Sequence, residues 1–410
     1  METMNTEKKA KTLQTASENL SSIFLLSYMP PEILTHVFAN LPVKTVLKFR
    51  CVCKSWCSII DHPHFISMHL KHTSVNCDNN KNFVVVKGSV RDENTECFST
   101  VLQANTLRKT SRIFRIPWLY GGFYIAGICD GLLLVKHHTR NLSLLNPCIR
   151  KSLFLPKTPL PPNLPDTAMY IFGFAPNSND YKVVAIKFGK GQADETTKIH
   201  VAVYTLSDQQ WTVRNNGFNI DFPYVKRLLK GYSHRYKSNA TYFKGEAHWL
   251  GKDQYQNSNQ RKKSTHLISF NFDNEKFTIS ELPFASNERE SSSALFLLGE
   301  SLAIFSISSV RSNIRVLEKG EWTMWFSGNS SIFGYKLFSS TAHVYSWKNV
   351  FYCETDGGGR LICGKNSYNI ATCQVHKLFK SKSLFFEVEK YSESLLLFKG
   401  YGVKDLMSFP

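Results

Sequence analysis

The chain has 410 residues, 42% of them hydrophobic and 20% charged. That apolar content offsets chain entropy over two or three domains and excludes a largely disordered protein. Its 50 Lys and Arg against 32 Asp and Glu give a net charge of +18 that is spread along the sequence; it reads as solubility and not as a nucleic-acid footprint.

Residues 1–22 are polar, carry no hydrophobic periodicity and read as a disordered tail; no secretory leader is expected from them. With ten cysteines read as free thiols, a cytoplasmic or nuclear location is expected. The pattern changes at Tyr28. Pro30 or Pro31 opens a helix, Glu32 sits favourably in its first turn, and Ile33, Leu34, Val37, Phe38 and Leu41 recur at helical spacing. Pro42 ends that helix and starts a second through Trp56, and a third piece from Cys57 to Leu70 is interrupted by Pro63. Val37, Phe38 and Phe49 read as core of this unit. Three short helices bury too little surface to be stable alone, so the unit is expected to complete its core against a partner. Cys51 and Cys53 fall mid-helix on opposing faces in this reading. With Cys57, His62, His64, His69 and His72 they lack the C-x2-C and H-x3-H spacing of zinc sites, so structural cysteines and no metal are expected.

Past residue 80 the period becomes that of strands. A strand–turn–strand unit recurs at residues 142–156, 201–213, 266–283, 314–326 and, less clearly, 375–388. Further hairpin signals precede several of them, as in GICDGLLLV, FGFAPNSNDYKVVAIKF, ATYFKGEAHWLG and YSWKNVFYCE. Two hairpins per repeat make a four-stranded antiparallel blade, and blades arranged radially make a β-propeller; a large β-sandwich is the other reading. The longest apolar stretch, Ala294 to Ile307, is broken by Gly299-Glu300-Ser301, so no membrane-spanning helix is expected.

The helical segment resembles the F-box in its plant form. The resemblance rests on Pro30, Glu32-Ile33-Leu34, Leu41-Pro42-Val43-Lys44, Arg50-Cys51-Val52-Cys53-Lys54-Ser55-Trp56 and Pro63-x-Phe65. Met29 stands where the family usually has Leu, and Cys57 where a basic residue is common. The remainder resembles the F-box-associated domain, also described as F-box/kelch-repeat. Its motifs here are Cys129-Asp130-Gly131-Leu132-Leu133, Asn146-Pro147 with Arg150-Lys151, Phe172-Gly173-Phe174, Asn179-Asp180-Tyr181-Lys182-Val183-Val184, Gly245-x-x-His248-Trp249-Leu250 and Glu275-Lys276-Phe277. Leu145 replaces the Trp that usually precedes Asn-Pro.

The implied architecture is α+β and multidomain: a small three-helix F-box over 26–72, then an all-β, irregular propeller over 80–405. The resemblance further implies the substrate-recognition subunit of a Skp–cullin–F-box ubiquitin ligase, without catalysis or cofactor of its own. A Skp-type adaptor would be the direct partner, with cullin and RING subunits beyond it. Carried over from the family, the adaptor contacts are Met29, Pro30, Ile33, Leu34, Leu41, Pro42, Val46 and Leu47, with Trp56 bracing the third helix.

No G-x-S-x-G, H-E-x-x-H, Walker loop or G-x-G-x-x-G occurs in catalytic context, and Gly357-Gly358-Gly359-Arg360 reads as a loop tip. His248 beside Trp249 reads as a strand residue packed in a blade. Two other classes remain: a lectin-like or ligand-binding propeller, with Trp118, Tyr120 and Phe123 as its loop aromatics, and an autonomous enzyme, for which no acid–base or metal cluster is visible. The target is read as a protein, with an acidic surface to match basic loops at 226–237 and 252–263. Lys226, Arg227, Lys230, Arg261, Lys262 and Lys263 are the expected target-binding residues.

Overall fold

The computed structural model describes residues 29–75, 83–89, 97–103, 109–115, 123–137, 141–161, 169–190, 197–214, 240–257, 260–282, 292–298, 300–308, 310–329, 344–347, 350–355, 358–363, 374–377, 386–396 and 402–405. Among the described residues, four helices come first: α1 (Pro31–Ala39), α2 (Val43–Phe49), α3 (Lys54–Ile60) and α4 (Pro63–Val75). Proline stands at or just before the start of three of them, where a missing N–H costs nothing.

The number of helices corrects the expectation of three. The chain leaves α2 at Arg50, and Cys53 is fully extended (φ −154°, ψ 165°) before α3 begins. Cys51 therefore lies in a turn and Cys53 at a helix start, both exposed, instead of mid-helix. The break swings α3 back, so that Trp56 packs on Phe38 and Phe49 with ring centroids 5.0 and 5.3 Å away. A paired Arg50–Asp61 contact (2.7 and 3.0 Å) spans the break. Pro63 opens α4; it does not interrupt a helix.

Among the described residues, twenty-five strands follow in six antiparallel sheets. The first pairs β1 (Phe83–Ser89), β2 (Cys97–Gln103) and β3 (Lys109–Arg115) with β24 (Phe386–Tyr391) from the far end of the sequence, in the order β24-β1-β2-β3. The second holds β4 (Phe123–Cys129), β5 (Leu132–His137), β6 (Leu142–Asn146) and β7 (Lys151–Phe154), with β25 (Val403–Asp405) added at its outer edge. The third runs β8 (Met169–Ala175), β9 (Asp180–Lys190), β10 (Thr197–Thr205) and β11 (Gln210–Arg214). The fourth runs β12 (Thr241–Phe243), β13 (Glu246–Asn257), β14 (Gln260–Asn271) and β15 (Phe277–Glu281). Then come β16 (Ser292–Leu298), β17 (Ser301–Ile307), β18 (Arg311–Glu318) and β19 (Glu321–Asn329). The sixth sheet is β20 (Val344–Trp347), β21 (Val350–Thr355), β22 (Gly358–Cys363) and β23 (Gln374–Lys377).

Strands at or next to the inner edges of the sheets close a ring. β4 touches β8, β8 touches β13, β13 touches β16, β16 touches β20, β20 touches β24, and β24 returns to β4. This is a six-bladed propeller whose first blade takes its innermost strand from the C-terminal region. Apolar faces of adjacent blades fuse into shared cores. One joins the second blade to the third through Leu134, Leu144, Phe172 and Tyr204; another joins the third to the fourth through Ile171, Val203, Trp249 and Phe270.

This pairing revises two sequence expectations and shows what a third segment forms. Residues 375–388 are not one hairpin: β23 and β24 belong to different blades. Ala294 to Ile307 is the hairpin β16–β17, turning at the break that its sequence showed. Gly358, Gly359 and Arg360 pair along β22, so only Gly357 of that run falls between the strands, outside the described residues.

Turn chemistry sets the hairpins. Asp130-Gly131, Lys244-Gly245 and Lys319-Gly320 each place two successive residues at positive φ, the two-residue turn whose twist suits antiparallel strands. At Gly131 (φ +80°) an added Cβ would run into the Ser392 carbonyl, so both conformation and space require glycine. These turns and the longer ones at 147–150, 176–179 and 206–209 close the first and second hairpins of their blades. They gather on one face: Asn177 N–H donates to Asp273 Oδ1 at 2.9 Å, and Gly131 abuts the chain leaving β24. The strand ends that lead from one blade to the next lie on the other face.

Candidate functional site

Two sets of side chains stand out: an apolar stripe on the helical unit and a group of polar ties between blades. On α1, residues 34 and 38 point inward and residues 33 and 37 outward, one helical turn apart in each case. Leu34 and Phe38 are 3% and 0% exposed, whereas Ile33 and Val37 are 50% and 39% exposed. Met29, on the approach to the helix, is 39% exposed, and Pro30 is exposed beside it. Met29, Ile33 and Val37 thus leave an uncovered apolar stripe on a unit whose interior is otherwise well filled.

The expected adaptor contacts divide accordingly. Met29, Pro30 and Ile33 are at the surface; Leu41, Pro42 and Leu47 are half-buried; Leu34, Val46 and Trp56 are buried in the unit's own core. Leu34 and Val46 consequently offer no surface in this arrangement. Val37, expected in the core, is exposed, because it follows Ile33 by four residues on the outer face.

Below the stripe, His69 Nε2 lies 2.8 Å from the Leu41 carbonyl and donates to it, which fixes the junction of α1 and α2. Burial lowers the pKa of this imidazole, and the bond to the carbonyl only partly offsets that.

The core of the helical unit does not end with its own residues. Leu34, Phe38, Val43, Val46, Trp56, Ile60 and Phe65 form one buried cluster with Ile149 and Leu395 of the β-domain, and Cys148 packs against it. Ile149 comes from the β6–β7 turn and Leu395 from the chain after β24. The unit was expected to need a partner; part of that partner is the propeller itself. The signal in the sequence was Cys148-Ile149, an apolar pair in a hairpin turn where polar residues are usual.

The blade motifs resolve into polar ties. Tyr181 donates its hydroxyl to Asp130 Oδ2 at 2.9 Å, joining the third blade to the turn of the second. Asp180 Oδ1 accepts from the Tyr181 and Ser207 amides. Lys182, nearly buried, donates to Glu275 Oε1 at 2.8 Å and to the Phe272 carbonyl at 2.9 Å, and Arg214 meets Glu275 Oε2 at 2.7 Å. Burial alone would raise the Glu275 pKa, but Arg214 and Lys182 hold it below the ordinary carboxylate value. His248 Nδ1 lies 2.7 Å from Ser269 Oγ, and burial lowers its pKa despite Glu246 nearby. It is an internal strand residue, as the sequence suggested.

Lys226, Arg227 and Lys230 lie outside the described residues, as do Trp118 and Tyr120. Arg261, Lys262 and Lys263 were read as loop but lie on β14, opposite Gln256, Tyr255 and Gln254 of β13. These two strands run on past the ends of β12 and β15 as a two-stranded ribbon. Strand propensity there is poor, and the pairing is carried outward from the blade. Among the described residues, no group of three or more His, Cys, Asp or Glu is placed to hold a metal.

Comparison with known proteins agrees with this division. The F-box domain family matches residues 26–68, and the F-box associated beta propeller domain family matches residues 122–383. An F-box/WD-40 repeat-containing protein 1 of Arabidopsis thaliana is 25% identical over 328 residues, covering 77% of this chain and 69% of that protein. An F-box/kelch-repeat protein of the same plant is 26% identical over 200 residues, covering 47% of this chain and 53% of the relative, about half its length. The Dos1 propeller aligns at 10% identity with a TM-score of 0.32 over 74% of this chain and 69% of its own. That value is too low to bear on the architecture, which rests on the strand pairing.

Proposed function

The chain belongs to the F-box-associated β-propeller family, and from that premise we propose that it is the substrate-recognition subunit of a Skp–cullin–F-box ubiquitin ligase. The F-box docks on a Skp-type adaptor, and the propeller holds a protein target. The observation that carries this reading is the stripe of Met29, Ile33 and Val37, left open on one side of a helical unit whose Leu34, Phe38, Val46, Trp56, Ile60 and Phe65 are packed inside. A surface of this kind supplies the apolar centre of a protein interface, with a total near about 1,600 Å² for a stable complex.

Chemistry in this scheme belongs to other subunits. The chain contributes proximity: a target held on the propeller meets the ubiquitin thioester at a raised local concentration, and binding in place of diffusion supplies the rate gain. Polar residues at its blade junctions are engaged in holding blades together, which accounts for them without a reaction.

The test is assembly. Full-length chain, Skp-type adaptor, cullin and RING subunit are mixed and run by size exclusion. Co-elution of all four at equal stoichiometry supports the reading, and a chain that stays folded but elutes apart from the adaptor overturns it.

A further inference from the structure

We infer that Asn146, Ile149 and Leu395 are positioning residues that seat the F-box rigidly on the turn face of the propeller. The inference rests on the proposed receptor function for its consequence, namely that the adaptor is held at a fixed orientation to the opposite face, but the seat itself is argued from geometry alone.

Three observations build it. Ile149 and Leu395 are 9% and 2% exposed and belong to the same buried cluster as Leu34, Phe38, Trp56, Ile60 and Phe65. The F-box core and this corner of the propeller are therefore one packed body and not two domains joined by a tether.

The two propeller residues are themselves locked. The Asn146 amide, fully buried, donates from Nδ2 to the Ser394 carbonyl at 3.0 Å and the Leu396 carbonyl at 2.9 Å, gripping the chain on both sides of Leu395. Its Oδ1 accepts from the Cys148 amide at 3.0 Å, fixing the turn that carries Ile149, and Tyr391 Oη accepts from the same amide at 3.0 Å. An amide side chain offers two donors and an acceptor together; a carboxylate or an alkyl group of the same shape does not. One residue thus aligns both halves of the seat, which explains why an Asn opens the Asn-Pro turn.

Topology places the seat. The 147–150 turn and the end of β24 lie on the turn face, and β1 starts there as well, with Phe83 paired to Tyr391. The seat takes the inner face of α1 (Leu34, Phe38), while Ile33 and Val37 on its outer face stay uncovered, so seating and adaptor docking do not compete. The far ends of β13 and β14 point away from the turn face, and on the proposed receptor function the target is held on that opposite side.

The experiment measures an intramolecular distance in the full-length chain. Bio-orthogonal labels replace Ser58 on α3 and Lys319 in the β18–β19 turn, both exposed. Wild type is expected to give one narrow distance distribution. Ile149→Asp is expected to widen it at least about twofold, since untethered domains move relative to one another, while circular dichroism of the sheets is unchanged. Asn146→Asp should widen it as well, whereas Ile149→Val should restore the narrow form. If Ile149→Asp does not fold, Ile149→Ala and Leu395→Ala are read in its place, with the same direction expected. A broad distribution in wild type, or a narrow one in every seat variant, overturns the inference. The readout needs no adaptor, so a failed adaptor interaction and a failed seat are separate results.

Discussion

The Tyr181 hydroxyl donates to Asp130 Oδ2 at 2.9 Å, and with that bond the first position of one hairpin turn is tied to the second strand of the next blade. Burial raises the Asp130 pKa, and the Tyr181 bond acts against that rise by favouring the carboxylate. Removing the donor leaves a desolvated acid. Tyr181→Phe is expected to cost about 1 to 3 kcal/mol in chemical denaturation near neutral pH. It is also expected to raise the Asp130 pKa further, read by NMR titration of the carboxyl carbon. An unchanged midpoint and pKa would remove this bond from the account.

Lys182 and Glu275 form a second junction. Truncating one partner of a nearly buried pair is worse than replacing both with apolar groups. Glu275→Ala should cost about 3 to 5 kcal/mol because it strands Lys182. The double variant Lys182→Met, Glu275→Leu should recover most of that loss in the same denaturation assay.

Acid should weaken the fold before carboxylates titrate. Burial pushes the His137 pKa down to about 4 from 6.5, with Ser143 Oγ 2.8 Å from its Nε2. Between those two values the unfolded chain binds the extra proton and the folded chain does not, so stability is present above 6.5 and is lost as pH falls toward 4. From pH 7 to pH 5 the loss from this group is about 2 kcal/mol. His69 and His248, also lowered by burial, act in the same sense, and the raised Asp130 acts in the opposite one. Comparing wild type with His137→Gln at both pH values isolates the term; an equal drop in the two proteins contradicts it.

On α1, neighbouring residues should separate stability from binding. Leu34→Ala opens the shared core and is expected to cost about 2 to 5 kcal/mol. Ile33→Asp changes an exposed position and should leave the melting temperature nearly unchanged.

How much of this was legible depends on where each interaction's partner lies in the sequence. Asp130-Gly131 is a local turn signal, and the hairpin β4–β5 follows from it. The alternation in residues 142–156 and 201–213 likewise gives strands that pair with their neighbours, and from these the propeller is readable. The first blade was not: β24 pairs with β1 across nearly the whole β-domain, and no local turn announces such a pair. The break between α2 and α3 was hidden because Cys51-Val52-Cys53 keeps an apolar rhythm through it. At the candidate site, Ile33 was legible from helical spacing, but spacing alone does not say which of Ile33, Leu34 and Val37 faces inward. That is decided by Ile149 and Leu395, and Leu395 becomes relevant only once Asn146 has bound the residues on either side of it.

The central claim, that the open stripe is an adaptor-docking surface on a seated F-box, is tested most directly by calorimetric titration of a purified Skp-type adaptor into the full-length chain. Wild type is compared with the double variant Ile33→Asp, Val37→Asp, with melting curves recorded for both. The expected result is saturable one-to-one binding that the double variant weakens by about 100-fold or more, with no matching fall in melting temperature. Equal affinity for the two folded proteins, or no binding by wild type, would contradict it.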